Sequence, residues 1–168
     1  LPGCDEKKPL ALNAATGDLL NALTAPFSDS ASWEQLGSPA VGGGRLYFSG
    51  GASANSTPAP NLLYALDIAG LDSAQADQSP QYVWASTPTL GATSGLGVLS
   101  SPALAGDVLY AGTSGGKLVA VSTDGAAAEV DLSSAAYSSP AVSNGMVYIG
   151  TVGGKLRAYK AAKTVALS

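Results

Sequence analysis

Histidine is absent from the 168 residues, and cysteine occurs once, as Cys4. The lack of histidine removes the commonest general base, the commonest metal ligand and any Ser-His-Asp arrangement. One cysteine excludes an intrachain disulfide and every multi-cysteine zinc, haem or iron–sulfur motif. Charge is also scarce, at 12% of residues, about half of the roughly 25% usual in soluble domains. The net charge is −4 with no basic cluster, which argues against a nucleic-acid partner, because phosphate binding needs concentrated Lys and Arg. Hydrophobic residues make up 46%, yet no apolar run approaches the roughly 18 residues that a membrane helix needs. Residue 1 is Leu, not Met, so the sequence is expected to start after processing or to belong to a longer polypeptide. It carries no readable signal peptide.

What is present is turn formers and short apolar runs. There are 21 Gly and 10 Pro, with abundant Ala and Ser, a composition that points to an all-β protein. The chain also repeats itself. Ser38-Pro39-Ala40-Val41, Ser101-Pro102-Ala103-Leu104 and Ser139-Pro140-Ala141-Val142 align, and Tyr47, Tyr110 and Tyr148 each follow eight residues after the Pro. Seven residues after the second and third Tyr comes a Lys, in Gly115-Gly116-Lys117-Leu118 and Gly153-Gly154-Lys155-Leu156. Gly43-Gly44, Gly106-Asp107 and Asn144-Gly145 supply two-residue hairpin turns between the first two strands of each unit. The third strands are Leu62–Asp67, Lys117–Val121 and Lys155–Tyr159, and the fourth-strand candidates are 82–86, 127–132 and 163–167.

Each unit is thus a four-stranded antiparallel meander of roughly 40 residues, the pattern of a β-propeller blade. The expected organisation is a terminal segment, 1–9, then a half blade, 10–24, holding a third and a fourth strand. Full blades follow at 38–86, 99–132 and 137–168. The first of these carries inserted loops at 50–61 and 70–81. About three and a half blades make one partial propeller domain. A ring closes with about four to eight blades, so the remaining blades are expected elsewhere.

These residues resemble the quinoprotein-like repeat family, first recognised in pyrroloquinoline-quinone (PQQ) alcohol dehydrogenases. The resemblance rests on Ser139-Pro140-Ala141-Val142, Val147-Tyr148-Ile149-Gly150, Gly153-Gly154-Lys155-Leu156-Arg157-Ala158 and Ala11-Leu12-Asn13-Ala14-Ala15-Thr16-Gly17. It implies the propeller fold and an extracytoplasmic (periplasmic, cell-surface or secreted) location. The blade-ending Trp that docks neighbouring blades in the dehydrogenases is mostly replaced. Trp84 fits that position in the first full unit, Asn21 stands there in the half blade, and the second unit offers Val130 or Leu132. The family's adjacent-cysteine ring cannot be made with one Cys, and its catalytic Asp and calcium ligands cannot be placed.

Most other candidates read as architecture. Gly-Gly-Lys-Leu lacks the spacing and the following helix of a P-loop, so it is a hairpin turn. Asp67, Asp124 and Asp131 lie at or near turns, and no carboxylate pair has a spacing that argues for acid–base chemistry. Asp5, Glu6, Lys7 and Lys8 read as a solvated terminal segment. Trp33 and Trp84 read as blade-packing aromatics. Cys4 follows Leu1-Pro2-Gly3, which loosely resembles a lipoprotein box. Pro2 departs from that pattern, and a free thiol or a disulfide to another segment is the preferred reading. Asn55-Ser56-Thr57 fits a glycosylation sequon, weakened by Pro58.

The functional expectation is a non-catalytic exported module that binds or scaffolds protein in a surface or envelope assembly. It has no catalytic residue, no metal site and no cofactor in this chain. The inserted loop, with Ser53, Asn55, Ser56 and Thr57, is the expected partner contact. The alternative is the C-terminal part of a PQQ-dependent alcohol dehydrogenase-like enzyme, with PQQ and calcium held by residues outside this chain.

Overall fold

The computed structural model describes residues 10–22, 37–50, 62–68, 82–85 and 100–161. These residues form thirteen strands and no helix. β1 (Leu10–Leu12) and β2 (Leu19–Ala22) make a two-stranded hairpin. β3 (Ala40–Gly42), β4 (Arg45–Gly50), β5 (Leu62–Asp67) and β6 (Tyr82–Ala85) make a four-stranded meander. β7 (Ala103–Ala105), β8 (Val108–Gly112), β9 (Lys117–Ser122) and β10 (Ala127–Asp131) repeat it. β11 (Ala141–Ser143), β12 (Met146–Gly150) and β13 (Leu156–Lys160) make the last sheet. All pairings are antiparallel between consecutive strands. The fold is an all-β propeller arc of four-stranded antiparallel blades.

The turns explain why the meanders form. Gly43 and Gly44 have φ of 58° and 73°, and Asn144 and Gly145 have 50° and 71°. Two successive positive φ values define the type I′ turn, whose twist matches that of the flanking strands. Gly106 (φ 60°) is the one positive φ of its pair, which suits a type II′ turn. Between the second and third strands, the Thr113 N–H donates to the Lys117 carbonyl at 2.9 Å, and Thr151 and Lys155 repeat that bond at 2.9 Å. Lys155 is thereby the closing residue of its turn, and β13 begins one residue later than the sequence pattern predicts and runs on to Lys160.

The hairpin aligns with the first meander down to its irregularity. In β1–β2 the register shifts between Ala11 and Leu12, with partners Asn21 and Leu19. In β5–β6 it shifts between Ala65 and Leu66, with partners Trp84 and Tyr82. Leu12 is therefore the counterpart of Leu66, and Asn21 the counterpart of Trp84.

The core lies between sheets rather than within them. Strand residues alternate faces, so β8 and β9 present Leu109, Ala111, Val119 and Val121 to one neighbour. There they pack with Tyr47, Leu63 and Ala65. Val108, Tyr110, Leu118 and Ala120 face the other neighbour and pack with Leu132, Ala136, Val147 and Ile149. The middle sheet is buried on both faces, which is why β8 and β9 are near-continuous apolar runs rather than alternating ones. Each fully buried aliphatic side chain contributes about 1.5–3 kcal/mol. Leu132, 1% exposed, supplies the inter-blade packing after β10. The first strands β3, β7 and β11 touch their counterparts in adjacent sheets, so they line the inner side of the arc.

The terminal segment with Cys4, Asp5, Glu6, Lys7 and Lys8, as well as Trp33, the loop 70–81 and the fourth-strand candidate 163–167, lies outside the described residues.

Candidate functional site

The pairs Ser49↔Leu63, Gly112↔Leu118 and Gly150↔Leu156 fall at equivalent positions near the ends of the three larger sheets. The β4–β5, β8–β9 and β12–β13 connections therefore leave from one edge of the arc. The second and third are tight Gly-Gly turns, with φ of +77° at Gly116 and +72° at Gly154. The first holds Ser53, Asn55, Ser56 and Thr57, which lie outside the described residues. Its two anchors are firm: Leu63 is fully buried and Ser49 is 1% exposed.

The segment from Leu132 to Ser138 approaches the same edge. The Val152 N–H donates to the Ala135 carbonyl at 2.8 Å, and the Gly153 N–H donates to Ser134 Oγ at 3.0 Å. Val152 is 65% exposed and Tyr137 54%, which gives this edge an apolar character beside its hydroxyl-bearing turns.

Asn and Asp side chains hold turns. Asn13 Oδ1 accepts the N–H groups of Ala15 and Thr16 at 2.8 and 3.2 Å, fixing the β1–β2 turn. Asp124 accepts from the Ser122 hydroxyl and the Ala126 N–H, and these bonds lower its pKa. Asp131 accepts the Ser133 N–H at 2.6 Å. That bond, and then the Lys117 ammonium, holds its carboxyl below the usual range. Lys117 Nζ lies 3.5 Å from Glu129 and 3.6 Å from Asp131 across the β9–β10 pair. These are exposed pairs of small energetic weight. Asp67 ends β5 opposite Arg45, and the Arg45 guanidinium donates to the Thr123 carbonyl, tying the first meander to the β9–β10 turn of the second.

Tyr47 and Tyr110 are buried at the same inter-sheet position, and Tyr148 holds that position in the last sheet. Trp84 lies in β6, its backbone paired with Ala65. A cavity of about 40 Å³ sits between β10 and β13, lined by Tyr110, Leu118, Val130 and Tyr159 among others. Ligand pockets measure roughly 300–1,000 Å³, so this space is well below that size. Calcium takes about six to eight oxygen ligands with several carboxylates. Among the described residues no three His, Cys, Asp or Glu come together. The described residues therefore do not fit a calcium–PQQ site.

The sequence profile described as outer membrane protein assembly factor BamB, of PQQ-type repeats, matches residues 4–128 and again 77–167. The chain belongs to this PQQ-type repeat family. The double match over the overlap follows from the repetition of the blades. Among solved structures, the chain is similar to the quinohemoprotein alcohol dehydrogenase ADHIIG from Pseudomonas putida HK5. That likeness has a TM-score of 0.55 at 20% identity and covers 84% of this chain and 23% of the dehydrogenase. It is also similar to BamB from Moraxella catarrhalis, with a TM-score of 0.43, 12% identity, and coverage of 74% and 42%. The chain thus spans under half the length of either. No curated protein sequence matches it. At 20% identity the likeness to the dehydrogenase shows the fold alone, and PQQ-type propellers serve more than one task. Among the described residues no helix is long and apolar enough to cross a membrane.

The sequence did not reveal the exposed ends of the arc. Leu156 is 74% exposed although its counterpart Leu118 is 5% exposed. The same letter in the same repeat position carries no mark of what lies against it. The Arg45–Thr123 tie was also invisible, because it joins turns 78 residues apart.

Proposed function

We propose that this chain is an exported propeller module that binds protein in the assembly of an envelope structure and holds no cofactor of its own. The observation that carries this reading is the family profile, which names an outer membrane assembly factor and covers the chain nearly from end to end. The residues that repeat in register serve packing and turns, so recognition falls to the connections between strands. In this reading the contact is made by the 50–61 loop, through Ser53, Asn55, Ser56 and Thr57. The strands that flank it end at an edge whose neighbouring turns are tight, and the exposed Tyr137 and Val152 lie on that edge.

The test replaces residues 51–61 by a short turn like Thr113–Gly116 in the source cell. The expected result is a lower level of correctly folded outer-membrane proteins, at unchanged abundance and melting temperature of the module. Unchanged assembly would remove the loop from the contact. The purified protein is also assayed with PQQ, calcium and an alcohol. Alcohol-dependent dye reduction would overturn the module reading in favour of the dehydrogenase-like alternative.

A further inference from the structure

β13 carries an arginine where the other third strands carry a tyrosine and a valine. The pairs Phe48↔Tyr64, Ala111↔Val119 and Ile149↔Arg157 stand at one register position of the three larger sheets. Phe48, Tyr64, Ala111, Val119 and Ile149 are all at most 3% exposed. Directly paired residues share a face, so Arg157 follows Ile149 into the seam with the preceding sheet. That seam lies inside the arc, where Ile149 belongs to one cluster with Tyr110, Leu118 and Leu132. Arg157 is half-buried, and its Nε is shut off from solvent without a hydrogen-bond partner. No carboxylate among the described residues pairs with it. A chain of net charge −4 thus holds a cation in an apolar seam with its planar fork already partly desolvated.

The seam is open beside it. Residues two apart on a strand share a face, which puts Tyr159 about 7 Å further along. Tyr159 lines the cavity of about 40 Å³ between β10 and β13, whose other wall includes Leu118, Ala128 and Val130. Ala128 pairs with Ala120 as Trp84 pairs with Ala65, so an alanine stands there at the register of a tryptophan, and space remains. The lining contains Lys160 and no carboxylate. One water-sized group needs about 10–15 Å³. The cavity therefore has room for a side chain of a few heavy atoms and none for a ring system.

We propose that this seam takes an acidic side chain from a partner polypeptide. Its stem enters the cavity against Leu118, Val130 and Tyr159, and its carboxylate meets the Arg157 guanidinium. Guanidinium and carboxylate match as a two-pronged pair, and the Nε–H is one of the donors such a pair can use. The pairing supplies the acceptor that the folded chain denies to Nε, and Lys160 adds charge of the same sign. This inference rests on the protein-binding reading and names the chemistry of what is bound, at residues other than those of the 50–61 loop.

The test uses two short end-blocked peptides that differ only in a central Glu or Gln. Both are titrated into the 168-residue chain by calorimetry and at the Arg157 Nε–H resonance. The Glu peptide is expected to move that resonance saturably and to bind about tenfold or more tightly than the Gln peptide. Arg157→Gln is expected to erase the difference, and Arg157→Lys to restore only part of it, because an ammonium lacks the fork. Ala128→Leu keeps the arginine and narrows the cavity, and is expected to weaken the Glu peptide at unchanged circular dichroism. Equal affinity for the two peptides, a preference that survives Arg157→Gln, or binding indifferent to Ala128→Leu overturns the proposal. So does inorganic phosphate that displaces the Glu peptide at equal concentration, since the seam would then take any anion. Replacing residues 51–61 is expected to leave the peptide preference intact, so the loop contact and this seam are read separately.

Discussion

Ser100 Oγ accepts the backbone N–H of Gly112 at 2.7 Å, tying the approach to β7 to the end of β8. Ser138 repeats this at Gly150, accepting its N–H at 2.9 Å and donating to its carbonyl at 3.0 Å. In the first unit the two residue types change places. Gly37 stands in the serine position and Ser49 in the glycine position, with the Gly37 N–H donating to the Ser49 carbonyl at 3.2 Å. The Ser49 hydroxyl then reaches forward to the Ser100 carbonyl at 2.9 Å, joining the first unit to the second. A Cβ at Gly37 would lie 2.4 Å from Ser49 Oγ and 2.9 Å from Ser101 Cα.

A double-mutant cycle tests this exchange. Ser100→Ala leaves the Gly112 N–H buried without its acceptor and is expected to cost about 1–3 kcal/mol. Gly37→Ser alone costs about as much by crowding. Adding Ser49→Gly removes the nearest crowding atom and leaves the Ser101 backbone at 2.9 Å, so the double variant should recover part of the loss, about 0.5–1 kcal/mol relative to additivity. Urea unfolding midpoints check all three, and strict additivity would refute the coupling.

Gly112 is glycine because the next unit comes close, not because of its backbone angle. Gly112→Ala places a methyl group 2.8 Å from the Ala136 carbonyl, a backbone atom fixed by its own hydrogen bond, Ala136 N–H to the Thr113 carbonyl at 2.9 Å. The expected cost is about 1–3 kcal/mol. Gly150→Ala meets only the Ser138 side chain and should lose a fraction of that. Thermal melts of the two variants side by side check the difference.

The blade pattern was legible because turns and strand periodicity are local. Asn144-Gly145 writes a type I′ turn into two residues, and Tyr110, eight residues after Pro102, fixes a strand position. Even the alignment of Asn21 with Trp84 follows from sequence spacing, and the matching register shifts agree with it. The surfaces were not legible, because exposure depends on what lies across the sheet. Leu118 and Leu156 are identical by repeat, yet one is buried and the other open. Leu132 could be named only as one of two replacements for the docking Trp. By register the counterpart of Trp84 is Ala128, paired with Ala120 as Trp84 is with Ala65, while Leu132 is buried further along, where its N–H donates to the Gly116 carbonyl at 2.7 Å. The contact loop with Asn55 had only polarity and length to mark it.

Asp131 gives a pH signature. Its carboxyl is held below the ordinary range by the Ser133 N–H and by Lys117. A depressed folded pKa means the stabilisation is fully present above the ordinary value of about 3.9 and is lost as pH falls through the lower folded value. The wild-type chain should therefore lose stability as pH falls below about 4, and Asp131→Asn should flatten that part of the curve. Asp124, lowered first by the Ser122 hydroxyl and then by the Ala126 N–H, acts in the same direction. Added salt should change little, because in both residues a hydrogen bond precedes the charge contribution. Denaturation midpoints across this acid range check the slope, and an unchanged slope in Asp131→Asn would assign the acid loss to other carboxylates.

Arg157 takes the β13 position that Val119, fully buried, holds in β9. Its Nε is buried with no hydrogen-bond partner. A buried donor without a partner carries a desolvation penalty of about 1–3 kcal/mol, partly offset here by packing of the side-chain stem. Arg157→Val copies the residue of the preceding unit into an interface already lined by Val147 and Ile149. The expected outcome is a gain of about 1 kcal/mol, read as a higher urea midpoint at unchanged slope. A lower midpoint would mean that the arginine stem contributes more through contact than its buried nitrogen takes away, and Arg157→Met, which keeps an unbranched stem and drops the donor, would then recover the loss.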